Sequence, residues 1–332
     1  MHHILAVCDK DEAYASKLVN YINLRGGFPF AARYFSSVEK LEKSSLQQRI
    51  EVILVSEAFH QEVRARVETD KLILLAEQEK DTNGDVDMVW KYQAAATLMK
   101  QVLDILAKEG GIHSHISRKK RLKVVGFYSP VKRVLQTTFV LTFGQLLAKR
   151  GRVLYLDMES CSGLESLMER EFSKDLSDLL YYLQNGKNGL SYYLYSMTEK
   201  IGELELLPPM RCQLDLISIT AKEWKQLLYE IEVCTEYEYL LIDLSDSIQG
   251  LYEIMRNCDK IYTVTAEDVH AKAKIKQYEK MLKQCSYEDV WEKTQILQFP
   301  RITYLPGRPE RLVNSELAVE AKELLKEEFY VK

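Results

Sequence analysis

The ten residues "SPVKRVLQTT" (129–138) stand between the apolar run "KVVGFY" and a helical pattern, and the next apolar run, "RVLYLDM", ends on Asp157 and Met158. A strand, a turn, two threonines, a helix and a strand-end aspartate make the frame of a phosphate-binding loop. Such a loop uses glycines so that backbone N–H groups can approach phosphate oxygens in dihedrals closed to other residues. It uses a lysine to neutralise the β- and γ-phosphates and a Ser or Thr hydroxyl to bind Mg²⁺. Here the loop holds no glycine, and Gln136 stands where the lysine belongs. Lys132 and Arg133 offer charge from shifted positions, and Thr137 and Thr138 keep their hydroxyls. Asp243, near the end of "YEYLLIDLS", is a second strand-end carboxylate. A plainer reading is also open. First-turn threonines satisfy the free N–H groups of a helix, and the fold's geometry alone keeps aspartates at strand ends.

A second pair of carboxylates, Asp9 and Asp11, follows the apolar run "ILAVC". Placed just before "EAYASKL", they read as helix caps, which stabilise exposed N–H groups without any metal. Other chemistry is set aside. Neither G-x-S-x-G nor H-E-x-x-H occurs. His113 and His115 are too isolated to make a metal site, and nothing near Asp243 and Asp246 suggests glycoside chemistry. The six cysteines contain no C-x-x-C pair and read as reduced, mostly buried thiols of a cytosolic protein.

These residues must be positioned by a chain of 332 residues, long enough for one large or two medium domains. Hydrophobic residues make up 46% and charged residues 28%, the balance of a globular protein. A net charge of −4 argues against a mainly electrostatic grip on nucleic acid. No apolar run approaches the roughly 20 residues that span a bilayer, and acids directly after the first apolar run make the N-terminus unlike a signal peptide. Apolar runs "ILAVC", "FPFAARYF", "EVILVS" and "KLILLA" alternate with helical patterns in residues 1–110. Residues 111–121 are polar and basic and read as a linker. Residues 122–332 alternate again, with strands expected at "KVVGFYS", "RVLYLDM", "LELLPP", "YEYLLIDLS", "KIYTVTA" and "RITYLP" (301–306). Strands alternating with helices predict an α/β protein with two doubly wound, mostly parallel sheets. The tyrosines at 181–182 and 192–195 read as core and surface filler rather than a recognition patch.

The first third resembles the receiver domain of response regulators, which implies a flavodoxin-like fold. Asp9 and Asp11 fall where that family keeps its Mg²⁺-binding acids, and Lys91 falls where its lysine ends the last strand. Ser56, at the end of "EVILVS", replaces the phosphoacceptor aspartate, and a hydroxyl cannot form the acyl phosphate or give that carboxylate to a metal. The resemblance therefore implies a pseudo-receiver that binds a protein partner or itself.

Residues 122–332 resemble the MinD/ParA group of P-loop ATPases, whose loop reads roughly K-G-G-x-G-K-T-T. Val131 takes the place of the first lysine, Lys132, Arg133 and Leu135 those of glycines, and Gln136 that of the phosphate lysine. "LLAKRGRVLYLDMESCSGL" is similar to the segment delivering a catalytic-site aspartate, here Asp157, and "TEYEYLLIDLSDSI" to the Walker B strand, with Asp243. If ATP with Mg²⁺ binds, the resemblance makes Thr137 and Asp243 its metal residues; otherwise no cofactor is implied. Pseudo-receiver, linker and deviant ATPase-like domain together resemble the TadZ/CpaE family of pilus-assembly proteins. That implies a cytoplasmic, dimer-forming scaffold without turnover, placed at the pole or the inner membrane through protein partners of a pilus or secretion apparatus, with no nucleic-acid role. The alternative it leaves is an ATP-dependent dimer switch acting in cell-division or partition positioning.

Overall fold

The structure is a computed structural model that describes residues 3–25, 28, 30–78, 86–108, 121–186 and 189–329. Nearly all of the basic linker, with His113 and His115, and the glycines at 26–27 and 110–111 lie outside the described residues. The chain divides into two compact units, residues 1–117 with 186–196, and residues 118–185 with 197–332.

In the first unit, strands β1 (His3–Cys8), β2 (Phe30–Phe35), β3 (Val52–Ser56), β4 (Lys71–Ala76) and β5 (Met88–Trp90) form one parallel sheet in the order 2-1-3-4-5. Helices α1 (Glu12–Arg25), α2 (Val38–Gln47), α3 (Glu57–Arg66) and α4 (Ala95–Lys108) connect and cover it. The runs at β3 and β4 lack a polar alternation because a parallel sheet is covered on both faces, and β3 is buried throughout. Ile4, Ala6 and Cys8 of β1 pack with Ile53, Val55 and, from the helices, Val38, Leu41 and Val63. The strand order reverses between β1 and β3. The carboxyl ends of those strands flank the crevice where open α/β sheets place their sites, and Asp9 and Ser56 stand there.

The second unit holds a seven-stranded sheet made of β6 (Lys123–Phe127), β7 (Val153–Met158), β8 (Glu199–Ile201), β9 (Leu204–Leu207), β10 (Tyr239–Leu244), β11 (Lys260–Thr265) and β12 (Thr294–Gln298). Its order is 12-11-6-10-7-9-8, parallel except for the short β8–β9 pair. The helices are α5 (Gln136–Ala148), α6 (Leu164–Leu167), α7 (Leu176–Gln184), α8 (Leu190–Met197), α9 (Gln213–Ser218), α10 (Ala221–Cys234), α11 (Leu251–Asn257), α12 (Val269–Gln284), α13 (Glu288–Glu292) and α14 (Leu317–Phe329). Residues 190–196 of α8 group with the first unit, where the Tyr192 ring stacks on Phe30 at 5.7 Å and 9°. Tyr182, Tyr192 and Tyr195 are buried and Tyr181 is exposed. Helix α5 is apolar on nearly every side, as a fully covered helix must be. Gly144 lets it approach the sheet, since a Cβ there would meet Leu204 Cδ2 at 2.9 Å and Leu241 Cδ1 at 3.0 Å.

Two expectations fail. Residues 301–306 are not a strand; the edge strand is "TQILQ" of β12. Pro300 and Pro306 bracket the segment, and the Thr303 N–H donates to the Glu316 carboxylate at 3.2 Å instead of a ladder. The cysteines are all free, but only Cys8 and Cys258 are buried, while Cys161, Cys212 and Cys285 are exposed because they lie at loops and helix ends. Among the described residues, no helix is long and apolar enough to cross a membrane.

Candidate functional site

Strand β6 delivers the loop, and its neighbour β10 delivers Asp243 in register with Asp157 of β7. All three strands end at one edge of the sheet, so the loop and both carboxylates meet there. The turn opens with Ser129, whose hydroxyl donates to Val264 O (2.5 Å) and accepts from the Val131 N–H (2.9 Å). Arg133 and Leu135 then adopt left-handed dihedrals, with φ of 61° and 63°. This is the conformation for which glycine is ordinarily used, and each side chain there costs about 1–2 kcal/mol. The shape of a phosphate loop is kept while its residue types are lost.

Gln136, the first residue of α5, does not reach outward. Its amide nitrogen donates to Asp243 Oδ1 (2.6 Å), with Leu244 O at 3.0 Å and Phe127 O at 3.2 Å. Two N–H bonds thus serve three acceptors. Asp243 is fully buried, and its other oxygen accepts from the Tyr155 hydroxyl at 3.1 Å. The Thr137 hydroxyl offsets part of the rise that burial imposes on Asp243, whereas the Thr138 carbonyl accepts from the Thr142 hydroxyl within the helix. Asp157, 1% exposed, accepts from the Glu159 N–H at 2.9 Å.

Lys132 is turned to Asp246, 2.8 Å away, and the Tyr128 hydroxyl donates to the other Asp246 oxygen at 2.7 Å. Burial alone would raise the Asp246 carboxyl, but the bonds from Lys132 and Tyr128 hold it below its ordinary range. The ion pair is half exposed and contributes at most about 1 kcal/mol. Arg133 is exposed, with no ion pair among the described residues. A cleft of about 480 Å³ lies beside the loop, lined by residues 131–138 and, opposite them, Glu159, Cys161, Ser162 and Leu167.

The carboxylates carry an unbalanced load. Burial, and then the neighbouring Asp243 charge, push Asp157 well above the usual carboxylate range. Burial raises Asp243 too, against the bonds from Gln136, Thr137 and Tyr155. Burial and Asp243 push Glu159 up to about 7, although Lys132 pulls it down. Two buried carboxylates side by side cannot both ionise cheaply. Folded Asp157 and Glu159 thus keep protons that the unfolded chain releases near its ordinary values of 3.8 and 4.5. Their contribution to stability is full at the acid end, falls as pH rises from those values toward about 7, and is flat above. Asp243→Asn removes the charge that raises both groups. Burial, the larger cause, remains, so the variant is expected to lessen this fall rather than abolish it, read by urea unfolding across the pH range. An unchanged pH profile would contradict the coupling.

The first unit has its own buried cluster. Lys91, directly after β5, meets Asp9 at 2.7 Å, with the side chains 3% and 2% exposed. The other Asp9 oxygen accepts from the Asp11 N–H at 2.9 Å, and Asp11 caps α1 by accepting from the Tyr14 N–H at 3.0 Å. The capping reading therefore describes Asp11, while Asp9 also carries an ion pair. Ser56 is 2% exposed, and its hydroxyl has no hydrogen-bond partner among the described residues. Among the described residues, no group of three or more His, Cys, Asp or Glu is arranged to hold a metal ion.

The partners of these residues are not visible in the sequence: Tyr155 and Gln136 on Asp243, Asp246 on Lys132, and Lys91 on Asp9. By position, Gln136 stands as a lost lysine. The only signal of its inward turn is that an amide, unlike an ammonium, bonds to a carboxylate without needing its charge.

No family model matches the chain, and no curated protein matches it. Among solved structures, it is similar to a ParA family ATPase from Chlorobium tepidum, at 19% identity over 63% of this chain and 94% of that one, with a TM-score of 0.45. The cell-division protein MinD of Aquifex aeolicus matches at 20% identity over 53% and 68%, with a TM-score of 0.40. A plasmid partition protein from Borrelia burgdorferi, bound to AMPPNP, matches at 13% identity over 62% and 98%, with a TM-score of 0.45. The likeness to these structures is one of fold.

Proposed function

We propose that this chain is an interaction protein: a localisation and assembly scaffold of the TadZ/CpaE kind that does not turn over ATP. One observation carries the reading. The side chain at the phosphate-lysine position is folded back on Asp243 at 2.6 Å and gives the cleft no cation. Mg-ATP does not fit the remaining donor set. Lys132 is paired with Asp246, Val131 offers no charge, Arg133 is left as the loop's unpaired cation among the described residues, and the carboxylates that would join a metal shell are buried. Losing one preorganised donor to a transferring group costs about 3–4 kcal/mol of barrier, and here two lysines are absent.

The first unit supports the same reading. Asp9 is neutralised internally by Lys91, and Ser56 offers no carboxylate, so a receiver-like unit of this composition acts by binding rather than by phosphorylation. Its partners are protein components of a pilus or secretion apparatus, and the chain pairs with itself. The alternative, an ATP-dependent dimer switch of the MinD/ParA type, is favoured by the strained dihedrals kept at Arg133 and Leu135.

Equilibrium binding of labelled Mg-ATP, with phosphate release followed in parallel, separates the two. The scaffold gives no saturation at micromolar nucleotide and no release above buffer. The switch gives micromolar binding that drives dimerisation and is lost in Asp243→Ala.

A further inference from the structure

Helix α12 starts at Asp268, whose carboxylate accepts from the His270 and Ala271 N–H groups at 2.8 and 3.0 Å. It buries Ala271, Tyr278 and Leu282 against the second unit. At 100° per residue, Lys272, Lys276, Lys280 and Lys283 fall in one arc on the side away from these three, and all four are exposed. The helix holds five lysines and a single acid, Glu279, in a chain whose net charge is −4. Glu279 pairs with Lys283 at 2.6 Å, while Lys272, Lys276 and Lys280 make no ion pair among the described residues. Of the acids flanking the helix, Asp268 is engaged with the backbone and Asp289 of α13 with Arg256 at 2.7 Å, while the exposed Glu267 and Glu288 lie in sequence beyond its two ends.

The charge is concentrated here without serving the fold, and its chemistry narrows the partner. The stripe runs straight for about 16 Å. The helix has no arginine, and its one tyrosine, Tyr278, is buried. A protein partner would want such anchors, and base readout would want forked donors reaching into a groove. Lysine ammoniums are compact, hydrated point charges on flexible stems, suited to a flat, diffuse layer of negative charge. The apolar side of the helix is occupied by the core, so the contact is electrostatic and not an insertion. We propose that the lysine stripe of α12 binds the surface of a bilayer carrying anionic lipid headgroups.

The test is flotation of the full chain with vesicles of phosphatidylglycerol in phosphatidylcholine, beside vesicles of phosphatidylcholine alone. Binding is expected to the first only, and to vanish at high salt. Each lysine near an anionic surface contributes roughly fivefold to partitioning, so Lys276→Gln with Lys280→Gln should weaken binding about 25-fold. The arginine pair at the same positions keeps binding, and Lys322→Gln with Lys326→Gln on α14 leaves it unchanged. All are exposed positions, and an unaltered unfolding midpoint verifies the fold. No flotation, equal flotation with neutral vesicles, an unaffected glutamine pair, or displacement from the vesicles by duplex DNA would each overturn the proposal.

Discussion

Lys91→Met is expected to lower the unfolding free energy by about 3–5 kcal/mol, the scale of breaking a buried ion pair by removing one partner. The reason lies in what remains. Asp9 is 2% exposed, and with the ammonium gone its charge has neither water nor a counter-ion. Lys91 also lies over the Tyr14 ring at 4.8 Å, and the Tyr14 hydroxyl donates to the Lys91 carbonyl at 3.0 Å, so the side chain is held by packing as well as charge. Replacing both partners, Asp9→Asn with Lys91→Met, removes the stranded charge and should recover most of the loss. Urea unfolding of the two single variants and the double gives the coupling directly. A single-variant cost below about 1 kcal/mol, the range of an exposed pair, would show that the cluster is open to water and free to take a cation.

Gln136→Leu is the second large effect, an expected loss of about 2–4 kcal/mol. Leucine is similar in length but donates nothing, and three acceptors depend on this amide: Asp243 Oδ1, Leu244 O and Phe127 O. Stranding a buried acceptor costs roughly 1–3 kcal/mol, more for a charged one. Part of the cost is returned because Asp243, already raised by burial, takes up a proton more readily. The loss should therefore be smaller at pH 5 than at pH 8. Gln136→Lys restores a donor and brings a positive charge to the carboxylates, so it should be at least as stable as the natural chain. If leucine is tolerated without loss, the amide is not what holds the loop to β10.

Much of this was legible in the chain. Period and apolar runs located β1 to β4, β6, β7, β9, β10 and β11, because parallel strands covered on both faces show as short unbroken apolar stretches. The edge strand β12 was not legible. Its "TQILQ" is half polar, and the neighbouring "RITYLP" has more β-branched and aromatic character but spends a backbone donor on Glu316. The residues of the loop were identifiable by their place between a strand and a helix. Their connections were not, since a hydrogen bond between Gln136 and Asp243, or an ion pair between Lys91 and Asp9, joins residues brought together only by the sheet order. The missing glycines at 133 and 135 do not tell, from sequence, what the loop's backbone does. The backbone keeps the left-handed turns and carries the strain.

Whether residues 129–138 still serve a triphosphate is read most directly by mixing the purified chain with radiolabelled ATP and Mg²⁺ and following free phosphate alongside retained nucleotide. A cleft whose glutamine is folded back on Asp243 and offers it no cation predicts no retained nucleotide at micromolar concentrations and no phosphate above the buffer rate. Micromolar retention together with steady release would contradict it.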